Sequence, residues 1–357
     1  MPAVVATPVL SCLASMSTRT PALILLAALS VACGGSGPTE PHGTPTPGSP
    51  VSGFVFYDEN ANGVADPEET VRLPSVGVTV GGVSASTATG GRFSLPSVPN
   101  GSQTAAARPD TLPAYFTPGP ALSVTVPSSG DVAVPAVLAL GTRAKANVYL
   151  AFGDSITWGQ GSSDGSGYAD VLQANLRAFW GKAEVVKDGV PGTKSNKGES
   201  RLGPSLGRHR PAYLLILYGT NDWNDPECRD TPPCYTIDAL RSMVLQTRDA
   251  GAFPVVGTIP PVNPNYVDKD AAARNDWVKG MNDLVRAMAK QQGAPVADVY
   301  GDFLKQASLP PLFADFLHPN DTGYQLIAQA FFRAVTQPIT ASGSGRSPAF
   351  FFRPGGP

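Results

Sequence analysis

The chain has 357 residues, which is enough for one domain of ordinary size and a second, smaller one. Its formal net charge is −2, so it lacks the basic character that binding to nucleic acid or to an anionic membrane surface requires. Glycine (38) and proline (36) together make up about 21% of the chain, whereas their usual combined share is about 12%. This excess predicts a linker and short strands in the first third of the chain.

Residues 1–33 are predicted to be an export signal. Arg19 precedes a short apolar run at 22–29, and small residues then lead to Cys33. The run is too short to span a bilayer, so we expect no transmembrane anchor. The sequence SVAC at 30–33 resembles a bacterial lipobox, although Ser30 stands where leucine is preferred. The resemblance implies that Cys33 carries lipid, and a plain secretory signal is the alternative. The expected location is the bacterial cell envelope or the medium.

Residues 34–50 are predicted to be a tether, because a segment so rich in glycine, proline, threonine and serine cannot bury a core. From 51 to 141, short alternating apolar stretches are broken by glycine and proline, as is typical of strands. These stretches lie at 51–56, 77–80, 92–95 and 122–126. Their spacing predicts a small all-β sandwich domain.

A loop at 58–69 fits the twelve-position template of calcium-binding loops, with glycine at position six. The predicted oxygen ligands are Asp58, Asn60, Asn62, Val64 (through its carbonyl), Asp66 and Glu69. Both flanks have the pattern of strands, whereas an EF-hand requires helices. The segment resembles the calcium-binding B-type repeats of bacterial surface proteins, which implies a structural calcium ion. An Asn/Asp/Gly turn without an ion is the alternative.

From residue 147 to 337 the chain alternates between strand and helix. Apolar runs suited to buried parallel strands lie at 148–152, 183–186, 213–218, 255–259 and 296–299. Helical patterns lie between them, with apolar faces over 168–179, 237–244 and 277–288. This alternation predicts a flavodoxin-like, doubly wound parallel sheet of the α/β class. In such sheets the site lies beyond the carboxyl ends of the strands.

Four short clusters stand at those predicted strand ends: GDSIT at 153–157, DGVPG at 188–192, GTND at 219–222 and DFLHPN at 315–320. Each is weak alone, but their order on this framework is informative. Together they resemble the SGNH, or GDSL, hydrolase family over residues 147–336. The second cluster has Asp188 where that family often has asparagine.

The chemistry of these residues predicts a serine nucleophile, and the family resemblance implies that it hydrolyses esters. The Ser155 hydroxyl needs an adjacent base. Of the three histidines, His42 lies in the tether and His209 in a basic, surface-like turn, which leaves His318. Asp315 precedes it by three residues, so a helical turn would let its carboxylate fix the imidazole tautomer. The family resemblance implies an oxyanion hole formed by the backbone N–H groups of Ser155 and Gly189 and the side-chain amide of Asn221.

Two cysteines are predicted to form a disulfide. Cys228 and Cys234 lie six residues apart in one loop, and the compartment expected for an exported protein is oxidising. A metal site is the weaker interpretation because no further soft ligand is near in sequence.

The sequence therefore predicts a monomeric carboxylic ester hydrolase that needs no cofactor for catalysis. Its expected substrates are small-molecule or polysaccharide esters, such as acetylated polysaccharide, short-chain acyl esters or lipids. Membrane contact is expected only through the lipid at Cys33. Acyl transfer by the same site and a non-catalytic, surface-attached carbohydrate-binding protein are the alternatives. Residues 338–357 are predicted to be a flexible tail.

Overall fold

The computed structural model describes residues 47–339. The predicted export signal, Cys33, His42, most of the tether and all but the start of the tail lie outside the described residues. Within 47–339, no helix is both long and apolar enough to cross a membrane.

The first part of the described chain forms two four-stranded sheets. One has the order β4-β1-β8-β6 and the other β3-β2-β5-β7. The pairing is antiparallel except between β1 and β8. Buried valines of β1 and β2 belong to one apolar cluster, so both sheets contribute to the same core. The strands are β1 (Gly48–Tyr57), β2 (Gly77–Val80), β3 (Val83–Ser86), β4 (Arg92–Pro99), β5 (Gly101–Ala107), β6 (Phe116–Pro118), β7 (Leu122–Val126) and β8 (Val132–Leu138).

The second part forms a five-stranded parallel sheet with the order β10-β9-β11-β12-β13. Numbered within the sheet, this is the flavodoxin-like order 2-1-3-4-5. Its strands are β9 (Lys145–Gly153), β10 (Glu184–Gly189), β11 (Pro211–Leu217), β12 (Phe253–Gly257) and β13 (Val296–Ala297). The strand predicted at 296–299 is only two residues long, because the Asp298 side chain accepts the Gly301 N–H and begins a helix at Val299.

Eight helices accompany this sheet within the described residues. They are α1 (Ser155–Trp158), α2 (Gly167–Trp180), α3 (Ser195–His209), α4 (Pro226–Asp230), α5 (Thr236–Asp249), α6 (Ala271–Gln291), α7 (Val299–Leu304) and α8 (Asp321–Thr336). The amphipathic patterns predicted at 168–179, 237–244 and 277–288 correspond to α2, α5 and α6. His209 is the last residue of α3, not part of a turn as predicted. Cations are favoured there by the helix dipole.

The two parts share one buried core. The Tyr115 ring stacks on Phe253 at a centroid distance of 4.4 Å, and its hydroxyl donates to the Pro254 carbonyl at 2.7 Å. Tyr213 donates in return to the Ala114 carbonyl at 3.1 Å. Phe116 lies edge-on to Trp180 at 6.0 Å. The β-rich part is therefore packed against the base of the parallel sheet.

Candidate active site

The turn that carries Ser155 is formed where β9 passes into α1. The Asp154 side chain caps this helix by accepting the Ile156 N–H at 2.9 Å. Gly153 is required at the end of the strand, because a Cβ there would lie 2.5 Å from the Leu217 carbonyl oxygen. Ser155 is 4% exposed, so its hydroxyl lies at the base of the site.

The structure brings Ser155, His318 and Asp315 together in a hydrogen-bonded line. His318 Nε2 lies 2.9 Å from Ser155 Oγ, and His318 Nδ1 lies 2.8 Å from Asp315 Oδ2. Because an ionised carboxylate only accepts hydrogen bonds, Nδ1 carries the proton and Nε2 is free to accept from the serine.

Asp315 reaches His318 by a different local structure from the one expected. The segment is a loop, not a helical turn, and α8 begins only at Asp321. Asp315 Oδ1 accepts the N–H groups of Leu317 and His318, each at 2.7 Å, which leaves Oδ2 for the imidazole. Partial burial disfavours ionisation of Asp315, but hydrogen bonds from the His318 N–H and imidazole and the Leu317 N–H outweigh it. The pKa of Asp315 therefore lies below its usual range.

Gly189 and Asn221 stand at the ends of the two strands that flank β9. A Cβ at Gly189 would lie 2.3 Å from the Trp158 nitrogen, so only glycine allows β10 to approach the Ser155 turn this closely. The Asn221 amide nitrogen donates to Asp154 Oδ2 and to the Thr193 carbonyl, both at 3.1 Å. Its two N–H groups are thus already bonded, and an oxyanion would have to replace one of these acceptors.

Two buried charged side chains, Asp154 and Arg274, lie at this site. Complete burial raises the pKa of Asp154 to about 7, although the Ile156 N–H acts in the opposite direction. Arg274 on α6 donates to the Thr220 carbonyl and lies over the Phe316 ring at 5.4 Å. Burial lowers the pKa of Arg274 to about 10. No local sequence pattern on α6 marks Arg274 for this position.

Two exposed apolar side chains lie beside the Ser155 turn. Trp158 is 59% exposed and Val190 is 40% exposed. Tyr218 is fully buried in the core, and Trp223 packs edge-on against Trp277 at 5.9 Å. Trp158 is therefore the most exposed of these three aromatic residues.

The loop after Asn221 is closed by a disulfide between Cys228 and Cys234. Trp277 Nε1 donates to the Cys228 carbonyl at 2.8 Å, which ties the loop to α6. Asp222 holds the other end of the same region, with its carboxylate accepting the Ser195 N–H at 2.8 Å and the Thr236 hydroxyl at 2.7 Å.

The 58–69 loop is folded around its own side chains. Asp58 and Glu69 are buried, and Asp66 Oδ2 accepts the side-chain amides of Asn60 and Asn62 at 2.7 and 2.9 Å. The strand β1 precedes the loop, but only an isolated bridge between Phe56 and Arg72 follows it, in place of the second flanking strand expected. Among residues 47–339, no group of three or more His, Cys, Asp or Glu is arranged to hold a metal ion.

Comparison with known proteins finds relatives of the α/β part of the chain. Residues 151–326 match the model of the GDSL-like Lipase/Acylhydrolase family. Thioesterase 1/protease 1/lysophospholipase L1 of Escherichia coli K12 is 25% identical over 52% of this chain and 81% of its own length. The acetylxylan esterase of Geobacillus stearothermophilus is 26% identical over 52% of this chain and 92% of its own length. A solved α/β hydrolase from the metagenome of Lake Arreo is 26% identical, with a TM-score of 0.44 over 54% of this chain and 95% of that one.

The α/β part of the chain is therefore similar to GDSL-like lipases and acylhydrolases. The protein is a carboxylic ester hydrolase. This sets aside the alternative of a non-catalytic binding protein.

Proposed function

We propose that the protein is a serine esterase in which Ser155 forms an acyl-enzyme. The observation that carries this proposal is the hydrogen-bonded line from Asp315 through His318 to Ser155. Ser155 Oγ attacks the ester carbonyl carbon while its proton passes to His318 Nε2. The tetrahedral intermediate collapses, the ester C–O bond breaks, and His318 returns the proton to the leaving alcohol. Water then releases the acid by the same route.

The oxyanion of the tetrahedral intermediate would be held by three donors: the N–H groups of Ser155 and Gly189 and the side-chain amide of Asn221. Asn221 would exchange its bond to the Thr193 carbonyl for one to the oxyanion and keep Asp154 as its second acceptor. Because Asp154 is buried, this remaining bond restricts the amide to one orientation. Preorganised donors of this kind usually supply the largest part of the rate enhancement.

The substrates proposed are short acyl esters of polysaccharide, with other short-chain acyl esters and lipids as further candidates. The acetylxylan esterase relative supports the first class, and the exposed Trp158 ring offers a face on which a sugar can stack. Hydrolysis of p-nitrophenyl acetate, with and without a polyol acceptor, tests the reaction type. We expect free acetate in both cases, whereas acetylated polyol would favour the acyltransferase alternative.

We propose further that the 58–69 loop binds calcium as a structural ion. The ligands would be Asp58, Asn60, Asn62, the Val64 carbonyl, Asp66 and Glu69, which supply only oxygen atoms, as calcium prefers. The Asn60 and Asn62 amides would have to turn their oxygens toward the ion. Glu59 of this loop accepts hydrogen bonds from Asn147 at 2.7 Å and Lys182 at 3.2 Å, so the loop contacts the hydrolase part directly.

Calcium should therefore stabilise the full chain against heat. Free calcium at 100 times Kd adds about 2.7 kcal/mol to the free energy of unfolding. Thermal melts with calcium and with EGTA measure the difference, which Glu69→Gln should remove and Glu68→Gln, at an exposed neighbouring position, should leave intact. Identical melts of the unmodified chain in both buffers would show that the loop is only a turn.

We also propose that the protein is exported and anchored in the bacterial envelope by lipid on Cys33. The proposal depends on the sequence alone, namely the apolar run at 22–29 and the small residues before Cys33. The hydrolase would then act as a monomer outside the cytoplasm, where the Cys228–Cys234 disulfide persists.

Metabolic labelling with a tagged palmitate in a bacterial host tests the anchor. We expect the unmodified chain to be labelled and Cys33→Ser to be unlabelled, because the thiol is the acylated atom. Label retained in the Cys33→Ser variant would exclude this site.

A further inference from the structure

Arg201 on α3 lies beneath the ends of three strands. Its guanidinium donates to the Asp188 side chain, to the Asp188 carbonyl at 2.7 Å and to the Gly153 carbonyl at 2.9 Å. It also donates to the Tyr218 hydroxyl from Nη2 at 2.8 Å and from Nε at 3.1 Å. Its flat face lies 3.9 Å from the centre of the Phe152 ring. The side chain is only 22% exposed.

Each of these partners stands next to a proposed oxyanion donor. Gly153 is two residues before Ser155, Asp188 directly precedes Gly189, and Tyr218 is three residues before Asn221. Gly153 belongs to β9 and Asp188 to β10, and Tyr218 directly follows β11. One side chain therefore connects the three segments at the end of their ladder of backbone hydrogen bonds.

The helix that carries Arg201 is itself fixed to the same region. Ser195, its first residue, is bonded through its N–H and hydroxyl to the Asp222 carboxylate. Gly198, one turn later, packs so closely on Tyr218 that a Cβ there would lie 2.5 Å from the ring. Asp188 Oδ2 is buried without a hydrogen-bond partner, so the carboxylate binds Arg201 through Oδ1 alone.

We propose that Arg201 is a positioning residue that sets the spacing of the three oxyanion donors, with Asp188 as its orienting partner. The inference rests on the proposed function, since it assigns Arg201 a role in that same site. Lysine cannot replace it, because a single ammonium group lacks the planar fork that reaches acceptors on three strands at once. Displacement of reacting groups by about 1 Å can cost on the order of 10²-fold in rate.

The test compares Arg201→Lys, Arg201→Met and Asp188→Asn with Arg208→Met, which removes an exposed arginine from the same helix. We expect kcat for p-nitrophenyl acetate to fall about 10²-fold in both Arg201 variants, with KM within about threefold. Asp188→Asn keeps the acceptor for Nη1 and should stay within about fivefold of the unmodified enzyme. Arg208→Met should be unchanged.

Inhibition by trifluoroacetone separates positioning from loss of folding. This ketone adds to a nucleophilic serine and generates the oxyanion, so its Ki should rise by the same factor as kcat/KM falls. The pH profile should keep its midpoint, because Arg201 has no contact with His318. Rates are expressed per active site titrated with a fluorophosphonate, so unfolded protein is not counted.

Two results would overturn the inference: kcat per active site within threefold of the unmodified enzyme in Arg201→Lys, or an unchanged Ki for trifluoroacetone. If Arg201→Met does not fold, Arg201→Lys decides alone. Failure of the proposed function appears separately, as activity that survives Ser155→Ala.

Discussion

Replacing Ser155 with alanine should abolish the burst of p-nitrophenol that accompanies acylation and reduce kcat by about 10⁴–10⁶-fold. Among residues 47–339, Ser155 is the side chain hydrogen-bonded to His318 Nε2, so no other described group is placed to accept the acyl group. His318→Ala should be about as severe, because the two side chains act as a unit and their losses do not add. Stopped-flow measurement with p-nitrophenyl acetate records both the burst and the steady state.

The remaining site residues should give graded losses. Asp315→Ala should cost less than His318→Ala, since the imidazole still adopts the required tautomer part of the time. Asn221→Ala removes one oxyanion donor and should lower kcat by about 10²–10³-fold with little change in KM. His209→Ala, at the end of α3, is the matched histidine control and should be near the unmodified enzyme. If His209→Ala is inactive while His318→Ala works, the base is assigned wrongly.

Removal of residues 47–141 should leave a hydrolase part that does not fold stably. The aromatic contacts of Tyr115 and Phe116 cover Phe253, Tyr213 and Trp180. An aromatic side chain buries roughly 150–250 Å², worth about 4–6 kcal/mol at 25 cal/mol/Å². Uncovering half of three such rings costs about 6–9 kcal/mol, comparable with the whole stability of a domain. We therefore expect the shortened chain to be insoluble or molten by near-UV circular dichroism.

A point variant tests the same interface in the full chain. Tyr115→Ala should lower the free energy of unfolding by about 3–5 kcal/mol, as for other buried aromatic residues. Thr125→Ala, at an exposed position of β7, should change it by less than about 0.5 kcal/mol. A shortened chain with the activity and melting temperature of the full one would show that the β-rich part is only a spacer.

The sequence predicts the site better than its surroundings, for reasons visible in particular residues. Ser155, Gly189 and Asn221 follow buried apolar runs, and parallel strands bring such positions to one edge of the sheet. His318 is found by elimination, because only three histidines exist. The Asp315 loop was expected to be helical because the spacing of three suits a helix equally well, and only the hydrogen bonds of Asp315 distinguish the two.

Contacts between distant segments are what the sequence does not encode in any local pattern. Tyr115 and Pro254 are 139 positions apart, and neither has a neighbour that marks the contact. The same holds for Arg201, whose acceptors lie up to 48 positions away on other strands. A polar residue on a helix is expected to face solvent, so its role in joining strand ends becomes visible only in the folded chain.

The most direct test of the account is to trap the acyl-enzyme. The full chain is mixed with p-nitrophenyl acetate, quenched in acid within the burst phase and digested, and the peptides are examined by mass spectrometry. We expect one acetyl group on the peptide that contains Ser155, and none on that peptide from the Ser155→Ala variant. Full hydrolytic activity with the acetyl group on another residue, or with no acetylated peptide at any quench time, would contradict the serine mechanism.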